Sequence, residues 1–150
     1  MHPELKIENT IISNFHQPYI IAEIGSNFDQ SFTKALKMID KAREVGANCV
    51  KFQLFRADIL YPDGGEIFDV FKSIELDPEW IPKLLEHANE QELHFAASSF
   101  DNSSFTLNSS IGIIPSILAL QSTTTKFFVI SVTTALIISF SFSFLSLKSA

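Results

Sequence analysis

The stretch Pro18 to Asn27, Pro-Tyr-Ile-Ile-Ala-Glu-Ile-Gly-Ser-Asn, limits what this chain can fold into more than any other. Tyr19, Ile20, Ile21 and Ala22 form a short unbroken apolar run, which suits a strand covered on both faces, as in a parallel sheet. Gly25 breaks the run, and Glu23 stands at its C-terminal end. From Ser31 to Val45, Phe32, Ala35, Leu36, Ile39 and Ala42 recur at helical spacing, with Lys34, Lys37, Lys41, Arg43 and Glu44 mainly on the other side. Gly46 is placed to cap that helix, and Asn48 to Gln53 reads as a second strand. A strand, helix, strand unit with a polar residue ending each strand begins an α/β array, in which ligands gather at the C-terminal strand ends. Glu23, Lys51 and Gln53 are therefore expected to converge on one site.

The pattern continues to residue 101. Leu54 to Glu75 is a long connection containing Tyr61-Pro62-Asp63-Gly64-Gly65, and loops of that length usually serve as lids or binding loops. Phe68, Val70, Phe71 and Ile74 predict a short helix within it, over the mouth of the array. Asp77 is the expected N-cap of the next helix, with Pro78 at its first position and Ile81, Leu84, Leu85 and Ala88 on its buried side. Pro82 lies deeper than a first-turn proline should and is expected to kink or delay that helix. Leu93 to Ala97 is a third strand, and Ser98 or Ser99 adds a hydroxyl at its end. Ahead of all this, Leu5-Lys6-Ile7-Glu8 alternates as a half-exposed strand does, and a turn at Asn9 or Asn14 would make a small hairpin. Residues 1–17 have no apolar run behind a basic start and do not read as a signal peptide.

Charge and cysteine content narrow the function. A net charge of −6, without a basic cluster, argues against a nucleic-acid surface and for a cytoplasmic protein handling small metabolites. The single cysteine, Cys49, precludes an internal disulfide framework and reads as a buried, inert side chain. His2 and His16 have no second ligand at metal spacing. All 17 acidic residues lie between Glu4 and Asp101, whereas 102–150 holds only Lys126 and Lys148 as charges. Two domains of unlike character are expected: 1–101, a partial barrel, and 102–150, a low-complexity hydrophobic tail. A shifted reading frame or a truncated gene is the expectation for that tail. The competing one is a membrane anchor, since 127–147 is an uncharged run of 21 residues.

A carboxylate, an ammonium, an amide and a hydroxyl at adjacent strand ends could hold an anionic substrate and move a proton. Ile-Ala-Glu-Ile-Gly-Ser-Asn at 21–27, Ala-Asn-Cys-Val-Lys-Phe-Gln-Leu-Phe at 47–55 and Phe-Ala-Ala-Ser-Ser-Phe-Asp at 95–101 together resemble the N-terminal part of the sialic acid synthase family. The resemblance implies an α/β fold, the N-terminal portion of a TIM-type (β/α)8 barrel, left incomplete because a closed barrel takes about 250 residues. It implies condensation of phosphoenolpyruvate with N-acetylmannosamine or a related sugar, giving N-acetylneuraminate or another nonulosonate. By the same resemblance Glu23 is the catalytic carboxylate, Lys51 and Ser98 are phosphoenolpyruvate contacts, Gln53 is a sugar-side contact, and Asn27 belongs to the substrate-binding turn. A divalent metal, Mn²⁺ or Mg²⁺, would polarise the sugar aldehyde, but the family's metal ligands fall in regions absent from this chain. The resemblance leaves the oligomeric state open, a homodimer being one option for the full-length parent.

Departures from the family pattern set further expectations. Phe28 stands where the family usually has His, which puts the chemistry of the turn around Asn27 in doubt. Ser98-Ser99 replaces a common Thr-Pro, and Gln91-Glu92 replaces the usual glycine before the third strand. The 150-residue chain is expected to be inactive and poorly soluble. A non-catalytic, membrane-tethered fragment is the competing reading, and another phosphoenolpyruvate-using barrel a third.

Overall fold

The computed structural model describes residues 4–7, 10–13, 15–110 and 127–131. A hairpin comes first, β1 (Leu5–Ile7) antiparallel to β2 (Thr10–Ile12). Then follow β3 (Tyr19–Gly25), α1 (Phe32–Glu44), β4 (Cys49–Leu54), α2 (Ala57–Leu60) and α3 (Glu66–Ile74). A 3₁₀ turn at Pro78–Trp80 leads into α4 (Ile81–Glu90), followed by β5 (His94–Ser99), α5 (Asn102–Ser110) and β6 (Phe127–Ser131). Four strands make one parallel sheet in the order β5-β4-β3-β6.

Local signals explain the helix boundaries. The Ser31 hydroxyl accepts from the Lys34 N–H at 3.2 Å and starts α1. At its other end the Gly46 N–H donates to the Arg43 carbonyl and the Ala47 N–H to the Ala42 carbonyl, both at 2.9 Å, with Gly46 at φ +79°. That is a Schellman ending, and it needs the left-handed conformation that glycine reaches at least cost. The Asp77 carboxylate accepts from the Glu79 N–H at 2.9 Å, and Pro82 is accommodated in the first turn of α4 because the 3₁₀ turn has already begun the coil. The delay expected from Pro82 is thus real.

The sheet has two unlike faces. Toward the helices, Ala22, Ile24, Val50, Phe52 and Phe95 pack with Ala35, Met38, Ile39 and Ala42 of α1 and Ile81, Leu84 and Ala88 of α4, all buried. Phe28 lies in this layer at 0 % exposure, its ring 6.4 Å from Phe52 and edge-on to Trp80 at 6.1 Å. On the other face the hairpin residues Ile7 and Ile12 close over Tyr19, Ile21, Cys49 and Ala96. Burial pushes the Cys49 thiol up to about 12, against small opposing effects from Tyr19 and Lys51, so it is inert at neutral pH.

Two elements lie in 102–150, where periodicity alone offered none. Asp101 explains α5: its carboxylate accepts from the Ser104 N–H at 2.8 Å, as an N-cap does. β6 pairs in parallel register with β3, Tyr19 opposite Phe127 through Glu23 opposite Ser131. The first five residues of the 127–147 run are therefore extended strand. The remainder of the run lies outside the described residues, among which no helix is long and apolar enough to cross a membrane.

Candidate functional site

Strand register builds the site. Glu23 on β3 stands opposite Lys51 on β4, and Gln53, two residues farther on, stands opposite Ser98 on β5. Because side chains alternate along a strand, these four share the face that carries Tyr19, Ile21 and Cys49 lower down. The hairpin fills the N-terminal end of that face with apolar side chains, and polar groups hold its C-terminal end. The structure thus brings together Glu23, Lys51, Gln53 and Ser98 as expected from the sequence.

The Glu23 Oε2 and Lys51 Nζ atoms are 2.5 Å apart, and the two side chains are only 21 % and 20 % exposed. The other carboxylate oxygen, Oε1, is buried and accepts no hydrogen bond among the described residues. The register shifts between Glu23 and Gly25, a bulge that bends β3 just where it delivers the carboxylate. Gly25 adopts φ +59°, and a Cβ there would lie 3.7 Å from Asn27 Nδ2, 3.8 Å from Glu23 Oε1 and 3.9 Å from Gln53 Cδ. A missing side chain therefore leaves a cradle ringed by a carboxylate and two amides. Asn27 also holds the turn itself, since its backbone N–H and its Nδ2 both donate to the Ile24 carbonyl, at 3.1 and 2.9 Å.

The Phe28 ring belongs to the helix-side core with Phe52 and Trp80, away from the face that carries Glu23 and Lys51.

Sequence reading missed three features. The Ser26 hydroxyl is buried beside the cradle without a hydrogen-bond partner among the described residues, and only its place after Gly25 could have drawn attention to it. Glu75, whose side chain is 10 % exposed, accepts from the Ala57 N–H at 3.1 Å and pairs with Arg56 at 3.2 Å and Lys72 at 3.1 Å. It thereby fixes the start of the α2–α3 excursion to its end. Asp101 joins the exit of β4 to α5, accepting from the Arg56 N–H at 3.0 Å and from the Ser103 and Ser104 hydroxyls at 2.5 and 2.7 Å. Burial pushes this carboxyl up, but those bonds and that from the Ser104 N–H outweigh it and hold it at about 2. The sequence Asp-Asn-Ser-Ser was the available signal for it. Above these ties, Phe55, Phe71, Phe100 and Tyr61 form an aromatic cluster at the C-terminal rim, with ring centroids 4.8 to 6.3 Å apart. The excursion is thus part of the mouth.

Among the described residues no three His, Cys, Asp or Glu side chains gather into a group that could hold a metal ion. His87 bonds Asp40 across the helices, and His94 bonds the Tyr19 hydroxyl at 2.5 Å at the opposite end of the sheet from the site.

A parallel α/β sheet with polar residues at its C-terminal strand ends is the arrangement that (β/α)8 barrels and doubly wound α/β proteins share. A family model described as the NeuB family matches residues 38–128, more than half of the chain, and the chain belongs to that family. It is 35 % identical over 113 residues to the spore coat polysaccharide biosynthesis protein SpsE of Bacillus subtilis, an alignment covering 68 % of this chain and 30 % of the relative. It is 31 % identical to the N,N'-diacetyllegionaminic acid synthase of Legionella pneumophila, covering 63 % of this chain and 31 % of that protein. The fold matches a crystal structure of N-acetylneuraminic acid synthetase from Leptospira borgpetersenii with a TM-score of 0.69 and 28 % identity, over 75 % of this chain and 40 % of that one. The chain thus spans about a third of the curated relatives it matches.

Proposed function

We propose that this chain carries the first substrate-binding strands of a nonulosonate synthase, one that condenses phosphoenolpyruvate with N-acetylmannosamine or a related N-acetylated sugar. The observation that carries the reading is the half-buried Glu23–Lys51 pair, flanked by Gln53 and Ser98 on one face at the strand ends. Lys51, held where water is scarce, offsets the charge of a phosphate or carboxylate more strongly than a solvated lysine would. The Ser98 hydroxyl can donate to the same group. Gln53 and the free oxygen of Glu23 face the Gly25 cradle, where an amide and a carboxylate suit the hydroxyl and acetamido groups of a sugar. Glu23 is then placed to orient the acceptor or take up a proton. The metal ion expected for the condensation would draw its ligands from outside the described residues.

The test is ligand-observed NMR with the purified chain, N-acetylmannosamine and phosphoenolpyruvate. Saturation transfer to the sugar is expected with the native chain and should be lost in Gln53→Ala, while Glu86→Gln, on the exposed side of α4, should leave it intact. Transfer that persists unchanged in Gln53→Ala, or its absence from the native chain at millimolar sugar, would sink the reading.

A further inference from the structure

We infer that Glu23 is a built-in counter-anion: its carboxylate occupies Lys51 in the free protein and competes with the incoming anionic substrate for that ammonium. The inference rests on the reading that Lys51 receives the anion, and it adds how that affinity is set. In register, Lys51 stands between Glu23 on β3 and Ala96 on β5, whose methyl group accepts nothing. Glu23 is the one ion-pair partner of Lys51 among the described residues, at 2.5 Å, and both side chains are about four-fifths buried. A pair kept for stability alone would be expected to have both carboxylate oxygens bonded, since a buried bare oxygen is costly. Here Oε1 is buried and has no hydrogen-bond partner among the described residues, facing the Gly25 cradle. The contact is therefore a resting one, complete only when another ligand reaches Oε1. An anion at Lys51 must push the Glu23 carboxylate aside or bear its repulsion at close range, and either lowers the anion's affinity. Removing the charge of Glu23 should thus tighten anion binding, the opposite of what loss of a direct anion contact would do.

Isothermal titration of phosphoenolpyruvate into the full 150-residue chain tests this in four proteins: native, Glu23→Gln, Lys51→Met and Glu86→Gln. Far-UV circular dichroism and thermal melting accompany each, so that a variant that fails to fold is recognised. If Glu23→Gln does not fold, the Glu23→Gln, Lys51→Arg double variant, compared with Lys51→Arg alone, puts the same question. Glu23→Gln is expected to bind roughly fivefold tighter, the upper end of the scale measured for single ion pairs that water still reaches. Glu86→Gln, which removes the same charge at a distance, should bind as the native chain does, and Lys51→Met should lose binding. Equal or weaker binding by Glu23→Gln, with binding still lost in Lys51→Met, overturns the inference and leaves the anion at Lys51. A comparable gain in Glu86→Gln overturns it too, by making the effect one of net charge. Undiminished binding in Lys51→Met, or no binding in any variant, overturns the underlying reading and the inference with it.

Discussion

Phe52 and Gln53 are neighbours on β4, yet they meet opposite faces of the sheet and opposite fates. Phe52 is fully buried and stacks on Phe95 with centroids 5.2 Å apart, inside a layer closed by α1 and α4. Gln53 is half-buried on the face that is apolar at the hairpin end and polar at the strand ends, and its amide has no hydrogen bond among the described residues. One face is uniform along its length and holds the fold together. The other changes character along the same strands, and a surface that stops being apolar without finding partners is where binding is to be sought.

The sharpest way to break that contrast is to truncate both residues. Phe52→Ala should cost about 3–5 kcal/mol, the usual loss for a large buried aromatic side chain, read as a lower urea midpoint. Gln53→Ala should stay within about 0.5 kcal/mol of the native chain, as surface changes do, because no bond is lost. Similar losses from the two would mean that the faces do not differ as described.

Next in size is Asp101, which ties the polar end of β4 to α5. Its folded-state pKa is lowered from 3.8 to about 2, so its contribution is complete above the unfolded value and fades as pH falls through the folded one. Asp101→Asn should cost about 2 kcal/mol at neutral pH, where a charged acceptor of several bonds is lost. The gap from the native chain should hold down to about pH 4, near the unfolded carboxyl value, and close toward pH 2. Denaturant unfolding at several pH values measures it, and a gap that stays flat across the acid range would show that the carboxylate charge does not support this joint.

Phe28→His sharpens the comparison by sending a polar ring to the helix side. An imidazole among Phe52, Trp80 and the helix residues has no evident partner, so a loss of about 1–3 kcal/mol is expected. Phosphoenolpyruvate binding should not change, because the ring does not lie on the polar face. An altered affinity in a folded Phe28→His protein would return position 28 to the site.

How much of this could be read beforehand follows from the range of the interactions. Glu23, Lys51, Gln53 and Ser98 were legible because strand periodicity and the C-terminal-end rule act over a few residues. The hairpin and the capping by Ser31, Gly46 and Asp77 are equally local. What stayed hidden depends on distance in the chain. Glu75 meets Ala57 across 18 positions and Asp101 meets Arg56 across 45, and no pattern announces either. At Phe28 the motif gave the residue's identity but not the direction of its side chain, which the turn after Gly25 decides. β6 was missed because its partner, β3, lies some hundred residues earlier, while its own composition carries no alternation.

The smallest effect compares two helix ends that solve one problem with different residues. α1 closes through Gly46 at φ +79°, and α4 closes in the same way through Glu92 at φ +55°, with the Glu92 N–H donating to the Asn89 carbonyl and the Leu93 N–H to the Ala88 carbonyl, both at 2.9 Å. A side chain in the left-handed region costs about 1 kcal/mol that glycine avoids. Glu92 recovers part of this through an ion pair with Arg43, but both side chains are largely solvated, and such pairs contribute between about 0 and 1 kcal/mol. Glu92→Gly should therefore stabilise the chain by about 0.5 kcal/mol, after allowance for the freer unfolded backbone. Raising the salt concentration should enlarge that gain, because it weakens the Arg43 pair in the native chain and leaves the backbone strain untouched. A Glu92→Gly protein that melts lower at high salt would mean that α4 does not end under the strain its backbone angle implies.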